Sequence, residues 1–171
     1  YVKKAILAAE DDGFYDHPGI EISGIARAAI ANIITGRRAQ GGSTITQQVA
    51  RNFFLSSERT YSRKIYEIAM SFKIEKTLTK DEILTIYLNQ IYLGQRAYGF
   101  QSAAKTYFGR PLSEISIGEA ATLAGLPVAP SAYNPIVNPS RAQMRKNYVL
   151  RRMYELGYID EVTYQAEKAA P

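Results

Sequence analysis

Four segments of this chain carry a Ser or Thr followed three residues later by Glu or Gln: Thr44 with Gln47, Thr79 with Glu82, Ser116 with Glu119 and Ser140 with Gln143. At the head of an apolar-periodic run this spacing is a capping box. The hydroxyl accepts from the N–H of the third helical residue, and the carboxyl or carboxamide accepts from the N–H of the cap. Strands have no use for such a pair. Four of them in 171 residues predict a mainly α chain.

The apolar spacing agrees. Val2 to Ala9 reads as a short helix. Residues 20–35 place Ile22, Ile25, Ala26, Ala29, Ile30, Ile33 and Ile34 at helical intervals, with Gly36 to close them. Further helices are expected from Thr44 to about Leu55, from Tyr61 to Thr77 with Ile65, Ile68, Ala69 and Phe72 inward, and from Thr79 to about Tyr92 with Ile83, Leu84, Tyr87 and Leu88 inward. Gly94 and Gly99 bracket a tight connection. Phe100 to Phe108 is a helix ended by Gly109 and Pro111. Ser116 starts one to about Leu123, Ser140 one to about Leu156, and Asp160 a last one. Residues 125–139 hold four prolines and read as an irregular loop. No strand signal of useful length and no internal repeat appears.

The length suits one domain with a real core. No Cys is present, which excludes a disulfide framework and thiolate metal sites. No run of 18 apolar residues exists, so no segment reads as a transmembrane helix. The chain opens at Tyr1, already in helical pattern, and reads as a piece of a longer protein. A net charge of +5 asks for an anionic partner. The positive charge is uneven: no acidic residue lies between Glu21 and Glu58, where Arg27, Arg37, Arg38 and Arg51 fall among Ile33, Ile34, Phe53, Phe54 and Leu55. That mixture fits a small membrane-surface lobe over about residues 36–60; an ordinary basic hairpin with its Phe residues in the core is the alternative. Nucleic-acid binding would rest on charge alone, since no recognisable module interleaves the basic residues with aromatics.

Four stretches carry possible chemistry. Glu10-Asp11-Asp12-Gly13-Phe14-Tyr15-Asp16-His17-Pro18-Gly19 places four carboxylates and the only histidine within ten residues, at a helix end where the macrodipole already disfavours negative charge. A conflict of that kind points to a functional site or to a solvated acidic turn. Gly41-Gly42-Ser43-Thr44 runs into a capped helix whose free N–H groups suit an anion, though it lacks the Lys and the preceding strand of a phosphate-binding loop. In Arg63-Lys64-Ile65-Tyr66-Glu67, helical spacing flanks Glu67 with two cations; this is either a surface ion pair or a carboxylate held ionised beside phosphate. Lys80 to Asn89 reads on physical grounds as a structural amphipathic helix.

In this order the four stretches resemble the signature motifs of the peptidoglycan glycosyltransferases, the domain of class A penicillin-binding proteins and of monofunctional transglycosylases. A fifth motif, basic before Val-Leu-x-x-Met, is matched by Arg145 to Met153, with Lys146 where the family usually has Arg. The resemblance spans Ala5 to Tyr158. The runs Gln47 to Leu55 and Tyr87 to Gly94 look most like the penicillin-binding protein 1a branch.

The resemblance implies a lysozyme-like, two-lobed helical domain over residues 1–171, with the small lobe on the outer leaflet of the bacterial cytoplasmic membrane. It implies polymerisation of lipid II onto a growing glycan strand, by a β-1,4 linkage with inversion and release of undecaprenyl pyrophosphate, and a parent protein that is also a transpeptidase. Glu10 would be the base, with Asp11 and Asp12 raising its pKa by like-charge repulsion. Glu67 would be the second carboxylate. Arg51, Arg59, Arg63 and Lys64 would neutralise the pyrophosphate, and Ser43 and Gln48 would hydrogen-bond phosphate or sugar. Asp11, Phe14, His17, Gly42, Thr44 and Asn89 would support the motifs. No cofactor is required; a divalent cation, Mg or Mn, is left open at Glu67. Phosphoglycolipid inhibitors of the moenomycin type and other cell-wall synthesis proteins are the further partners implied. A lytic enzyme of the same fold is the main rival. It would need a proton donor for a neutral glycosidic bond and no pyrophosphate clamp. A non-catalytic membrane or partner-binding module is the other.

Overall fold

A computed structural model describes residues 1–17, 44–53 and 61–170, with only the helical backbone of Phe53 and of residues 61–64. The helix expected over residues 20–35 lies outside the described residues, as do Gly41, Gly42, Ser43, Arg59 and most of the 36–60 lobe. The described residues form eight α-helices: α1 (Val2–Glu10), α2 (Ile45–Phe53), α3 (Tyr61–Thr77), α4 (Lys80–Gln90), α5 (Phe100–Phe108), α6 (Ile117–Ala124), α7 (Pro139–Glu155) and α8 (Glu161–Ala169). A 3-10 turn covers Leu112–Glu114, and among the described residues the paired extended backbone amounts to one isolated antiparallel bridge, Tyr92 with Tyr98. The mainly α expectation holds.

Three of the four capping boxes form. Thr44 and Gln47 exchange N–H···O bonds of 2.8 and 3.1 Å, Thr79 and Glu82 of 2.9 and 3.1 Å, and Ser116 and Glu119 of 2.9 and 3.1 Å. The fourth does not. α7 starts two residues early, with Pro139 in its first turn after Asn138 as the cap, and Gln143 instead donates to Asn147 at 3.2 Å. Proline's fixed φ is already helical and it has no N–H to satisfy, so it takes the first helical position ahead of Ser140. Asp160 caps α8 as expected, accepting from the Thr163 N–H at 2.7 Å.

The chain divides into two compact units: residues 1–12 with 88–171, and residues 13–87. In the first, α1 packs on α6 and α7, α6 packs on α7, and α8 lies against both α6 and α7. Its interior is Ala5, Ile6, Phe100, Ala103, Ala121, Leu123, Leu126, Leu150 and Met153. Alanines let the helices approach closely. Each fully buried Leu or Ile contributes about 1.5–3 kcal/mol. The connection from α4 to α5 turns tightly at Gly99, whose φ is 85° and where any Cβ would collide with the Asn89 carbonyl.

In the second unit α2 packs on α3. Ile45, Val49, Ala50, Ile74, Ile83, Leu84, Tyr87 and Phe14 are buried. The expected inward face of α3 is the outward one. Ile65 is 68% exposed and Phe72 38%, Ala69 is exposed and Ile68 is half-buried; the buried stripe is Glu67, Ser71 and Ile74. Spacing defines the two faces of a helix equally well, and the apolar face was the natural choice for the inside. Here the polar face holds that place.

Candidate active site

The acidic turn is split at the boundary between the units. Glu10 is the last residue of α1 and half-buried; Asp11 is buried. The Asp11 N–H continues the helix by donating to the Leu7 carbonyl at 3.0 Å. Asp12 is exposed, and its carboxylate accepts from Arg152 of α7 at 2.8 Å, while the same guanidinium reaches Glu155 at 2.9 Å. This corrects one expectation. Asp12 does not face Glu10 as a bare charge, because Arg152 neutralises it and ties the turn to α7.

The rest of the motif is anchored in the second unit. Gly13 accepts from the N–H groups of Asp16 (2.9 Å) and His17 (3.1 Å), which closes the turn. Phe14 is fully buried, with Tyr15 edge-on at 5.2 Å, His17 edge-on at 6.0 Å and the Lys80 ammonium 4.5 Å from its centroid. Tyr15 donates to Asp81 at 2.7 Å, and that bond to a carboxylate, followed by partial burial, raises its pKa. The start of α4, read as purely structural, holds this turn through Lys80 and Asp81.

α2, headed by Thr44 and carrying Gln48 and Arg51, packs on α3, whose buried residues include Glu67. Thr44 is spent on its capping box. Gln48 is buried and its oxygen accepts the Tyr87 hydroxyl at 3.1 Å, so it also fastens α4. Arg51 is half-buried in the last turn of α2. Glu67 is 3% exposed and one helical turn before Ser71, whose hydroxyl donates to the Glu67 carbonyl at 2.8 Å. A surface ion pair is therefore excluded for Glu67. Two turns further along α3, Glu75 accepts from Thr46 and Lys80, each at 2.7 Å; sequence reasoning missed this network, which joins three helices. Of Arg63 and Lys64 only the helical backbone is described. Asn89 stands in the first unit, under Gly99.

In the fifth motif Lys146 is buried and donates to the Ala170 carbonyl at 2.7 Å. Burial pushes its pKa down against the pull of Glu167 and Glu119. Its contact pins the end of α8, and is structural. Among the described residues no three His, Asp or Glu side chains gather as a metal cluster.

Comparison with known proteins places this geometry. The family described as Transglycosylase matches residues 1–154. Penicillin-binding protein 1A of Neisseria flavescens is 58% identical over 158 residues, 92% of this chain and 20% of that protein. Penicillin-binding protein 1A of Pseudomonas aeruginosa is 52% identical over 167 residues, 98% of this chain and 20% of that protein. A Cupriavidus necator protein described as a putative transglycosylase is 54% identical over 167 residues, 98% of this chain and 72% of that protein. The crystal structure of penicillin-binding protein 1A from Haemophilus influenzae matches with a TM-score of 0.54 and 35% identity, covering 74% of this chain and 16% of that one. The chain thus spans about a fifth of the length of the penicillin-binding relatives.

Proposed function

The chain belongs to the transglycosylase family, and from that premise we propose that it is a peptidoglycan glycosyltransferase, polymerising lipid II into β-1,4 glycan for bacterial cell-wall synthesis. The observation that carries the reading is the burial of Glu67 and Ser71 on the packed face of α3 while Ile65 and Phe72 of the same helix stay exposed. A buried carboxylate costs stability unless charges or hydrogen bonds compensate it. A helix that buries a carboxylate while its own apolar residues stay exposed supports a functional role for that face.

In the mechanism we propose, the Glu10 carboxylate takes the proton of the attacking 4-hydroxyl. That oxygen bonds to the anomeric carbon, the carbon–oxygen bond to pyrophosphate breaks, and configuration inverts as undecaprenyl pyrophosphate leaves. Pyrophosphate needs charge rather than a proton, and Arg51, Arg59, Arg63 and Lys64 are the residues assigned to supply it. Ser43 and Gln48 hydrogen-bond phosphate or sugar. A divalent cation riding on the pyrophosphate would need only one or two protein carboxylates, and Glu67 is the one assigned. Arg152, through Asp12, holds the turn that carries Glu10.

We place the protein on the extracytoplasmic face of the cytoplasmic membrane. No helix among the described residues is long and apolar enough to cross a membrane. The exposed arc of α3, by contrast, combines Ile65, Tyr66, Ala69 and Phe72 with Lys73 and Lys76 and holds no acid. That composition suits an anionic lipid surface. Moenomycin-type phosphoglycolipids would compete for the pyrophosphate residues, and a transpeptidase domain and cell-wall synthesis partners belong to the parent protein in this reading. Labelled lipid II incubated with the chain should yield polymer. Shortening of purified glycan with lipid II untouched would establish the lytic rival instead.

A further inference from the structure

Arg145 of α7 is half-buried and held by rings rather than by acceptors. Its guanidinium carbon lies 4.6 Å from the ring centroid of Tyr148, one turn along the helix, and 5.7 Å from that of Tyr133, in the proline-rich segment before α7. Such contacts engage the charge of a cation and use none of its N–H groups. Among the described residues the buried Nε of Arg145 has no hydrogen-bond partner, and no carboxylate pairs with its guanidinium. A buried donor left in this way calls for an explanation. No residue assigned above to catalysis or pyrophosphate binding is part of the cluster.

The chain makes room for this arginine and fixes what surrounds it. A Cβ on Gly125 would come within 2.5 Å of the Arg145 Cγ, so the glycine leaves space for the stem. Tyr133 is anchored by its own backbone, whose N–H donates to the Ala129 carbonyl at 3.1 Å. Beside it the buried Asn134 accepts the Ile136 N–H at 2.8 Å, which shapes the segment. Nothing close in the chain cancels the charge. Residues 125–139 carry no charged side chain, and the only acid of α7, Glu155, is engaged by Arg151 at 3.4 Å and Arg152 at 2.9 Å. Arg151 adds a second guanidinium to the Tyr148 ring, 5.6 Å from its centroid.

The chemistry narrows the ligand. A guanidinium held still presents a planar fork of donors, which a carboxylate meets with two parallel hydrogen bonds. Two rings this close favour a flat acceptor over a bulkier tetrahedral phosphate. The position narrows it further. Arg145 stands two turns before Arg152 on the same face of α7, about 10 Å along the axis. Arg152 in turn grips Asp12, two residues after Glu10, at 2.8 Å. That span is covered by about three extended peptide residues.

We propose that Arg145, held by Tyr133 and Tyr148, is a carboxylate-binding site that takes an acidic group of the substrate's peptide. The choice of ligand rests on the polymerase reading above, in which lipid II brings a peptide with free carboxylates. The test compares lipid II with lipid II whose peptide carboxylates are all converted to amides, on the wild-type chain and on Arg145→Lys, which keeps the charge and loses the planar fork. On the wild type, amidation should raise KM roughly tenfold at constant kcat. In Arg145→Lys, KM for unmodified lipid II should already be raised, and amidation should add little. Equal KM for the two substrates on the wild type overturns the proposal without reference to any variant, as does an equal response to amidation in both chains. A second arm needs no turnover. The isotopically labelled chain is titrated with millimolar acetyl-Glu-Ala-Ala, and the amides of Gly125, Tyr133, Arg145 and Tyr148 should shift; acetyl-Gln-Ala-Ala-amide, and inorganic phosphate at the same ionic strength, should leave them in place. Unshifted amides with the acidic peptide overturn the site, and so does phosphate acting as strongly as the peptide. Peptide binding by a chain that makes no polymer from lipid II upholds the carboxylate site and discards the polymerase reading; polymer formed at the same KM from both substrates does the reverse.

Discussion

The two units bury different chemistry. Among the described residues, the unit of 1–12 and 88–170 is filled with Ala, Ile, Leu, Phe and Met, and its buried polar side chains are Asp11, Asn134 and Lys146. The unit of 13–87 buries Thr44, Thr46, Gln47, Gln48, Glu67 and Ser71, and leaves Ile65, Tyr66 and Phe72 in the open. Each buried polar group costs about 1–3 kcal/mol if its hydrogen bonds are lost. The first unit is built as a scaffold in which α1 ends on Glu10; the second gives up apolar burial to hold polar groups in place.

The sharpest way to break this division is Glu10→Gln. Loss of the base proposed here should slow polymerisation by roughly 10²–10⁴-fold, read from labelled lipid II, with the melting temperature unchanged. A large stability loss would make Glu10 part of the scaffold. Next comes a pair of truncations compared by urea unfolding. Leu150→Ala in the first unit should cost about 2–5 kcal/mol. Ser71→Ala in the second should cost no more than about 1 kcal/mol, since its hydroxyl bonds to a carbonyl of its own helix. A third test exchanges the exposed arc: Ile65→Gln with Phe72→Gln should lower binding to anionic vesicles about tenfold with folding intact. The smallest effect is one of pH. Burial, and then the charge of Tyr92, push the Tyr107 hydroxyl up to about 12 from 10.0. The folded state therefore keeps that proton where the unfolded state loses it. The stability this contributes is complete below pH 10 and is lost as pH rises towards 12. In Tyr107→Phe this component of the alkaline decline should vanish from urea midpoints measured across that window.

The helices were legible because capping and spacing are local. Three boxes formed as written, and the fourth failed for a local reason too, the proline one residue before it. The inward face of α3 was not legible. Its periodicity marks two faces, and among the described residues it is packing against α2 that accompanies burial of the one with Glu67 and Ser71. The acidic turn was recognisable as a cluster, but its division was not. Asp12 is held by an arginine 140 residues away, and Tyr15 by Asp81, 66 residues away, and no local pattern encodes either contact. The roles of Glu10 and Glu67 came from the resemblance of ordered motifs, since spacing alone left the first with a solvated turn as its equal and the second with a surface ion pair.

The measurement that bears most directly on the contrast between the units is Glu67→Gln, assayed for lipid II polymerisation and for thermal stability on the same sample. The change removes the charge and keeps the shape. If the second unit buries this carboxylate for function, polymer formation should fall by roughly 10²-fold or more, while the chain still melts in one cooperative transition. Undiminished polymerisation together with a lowered melting temperature would make Glu67 a structural residue and contradict the division drawn between the two units.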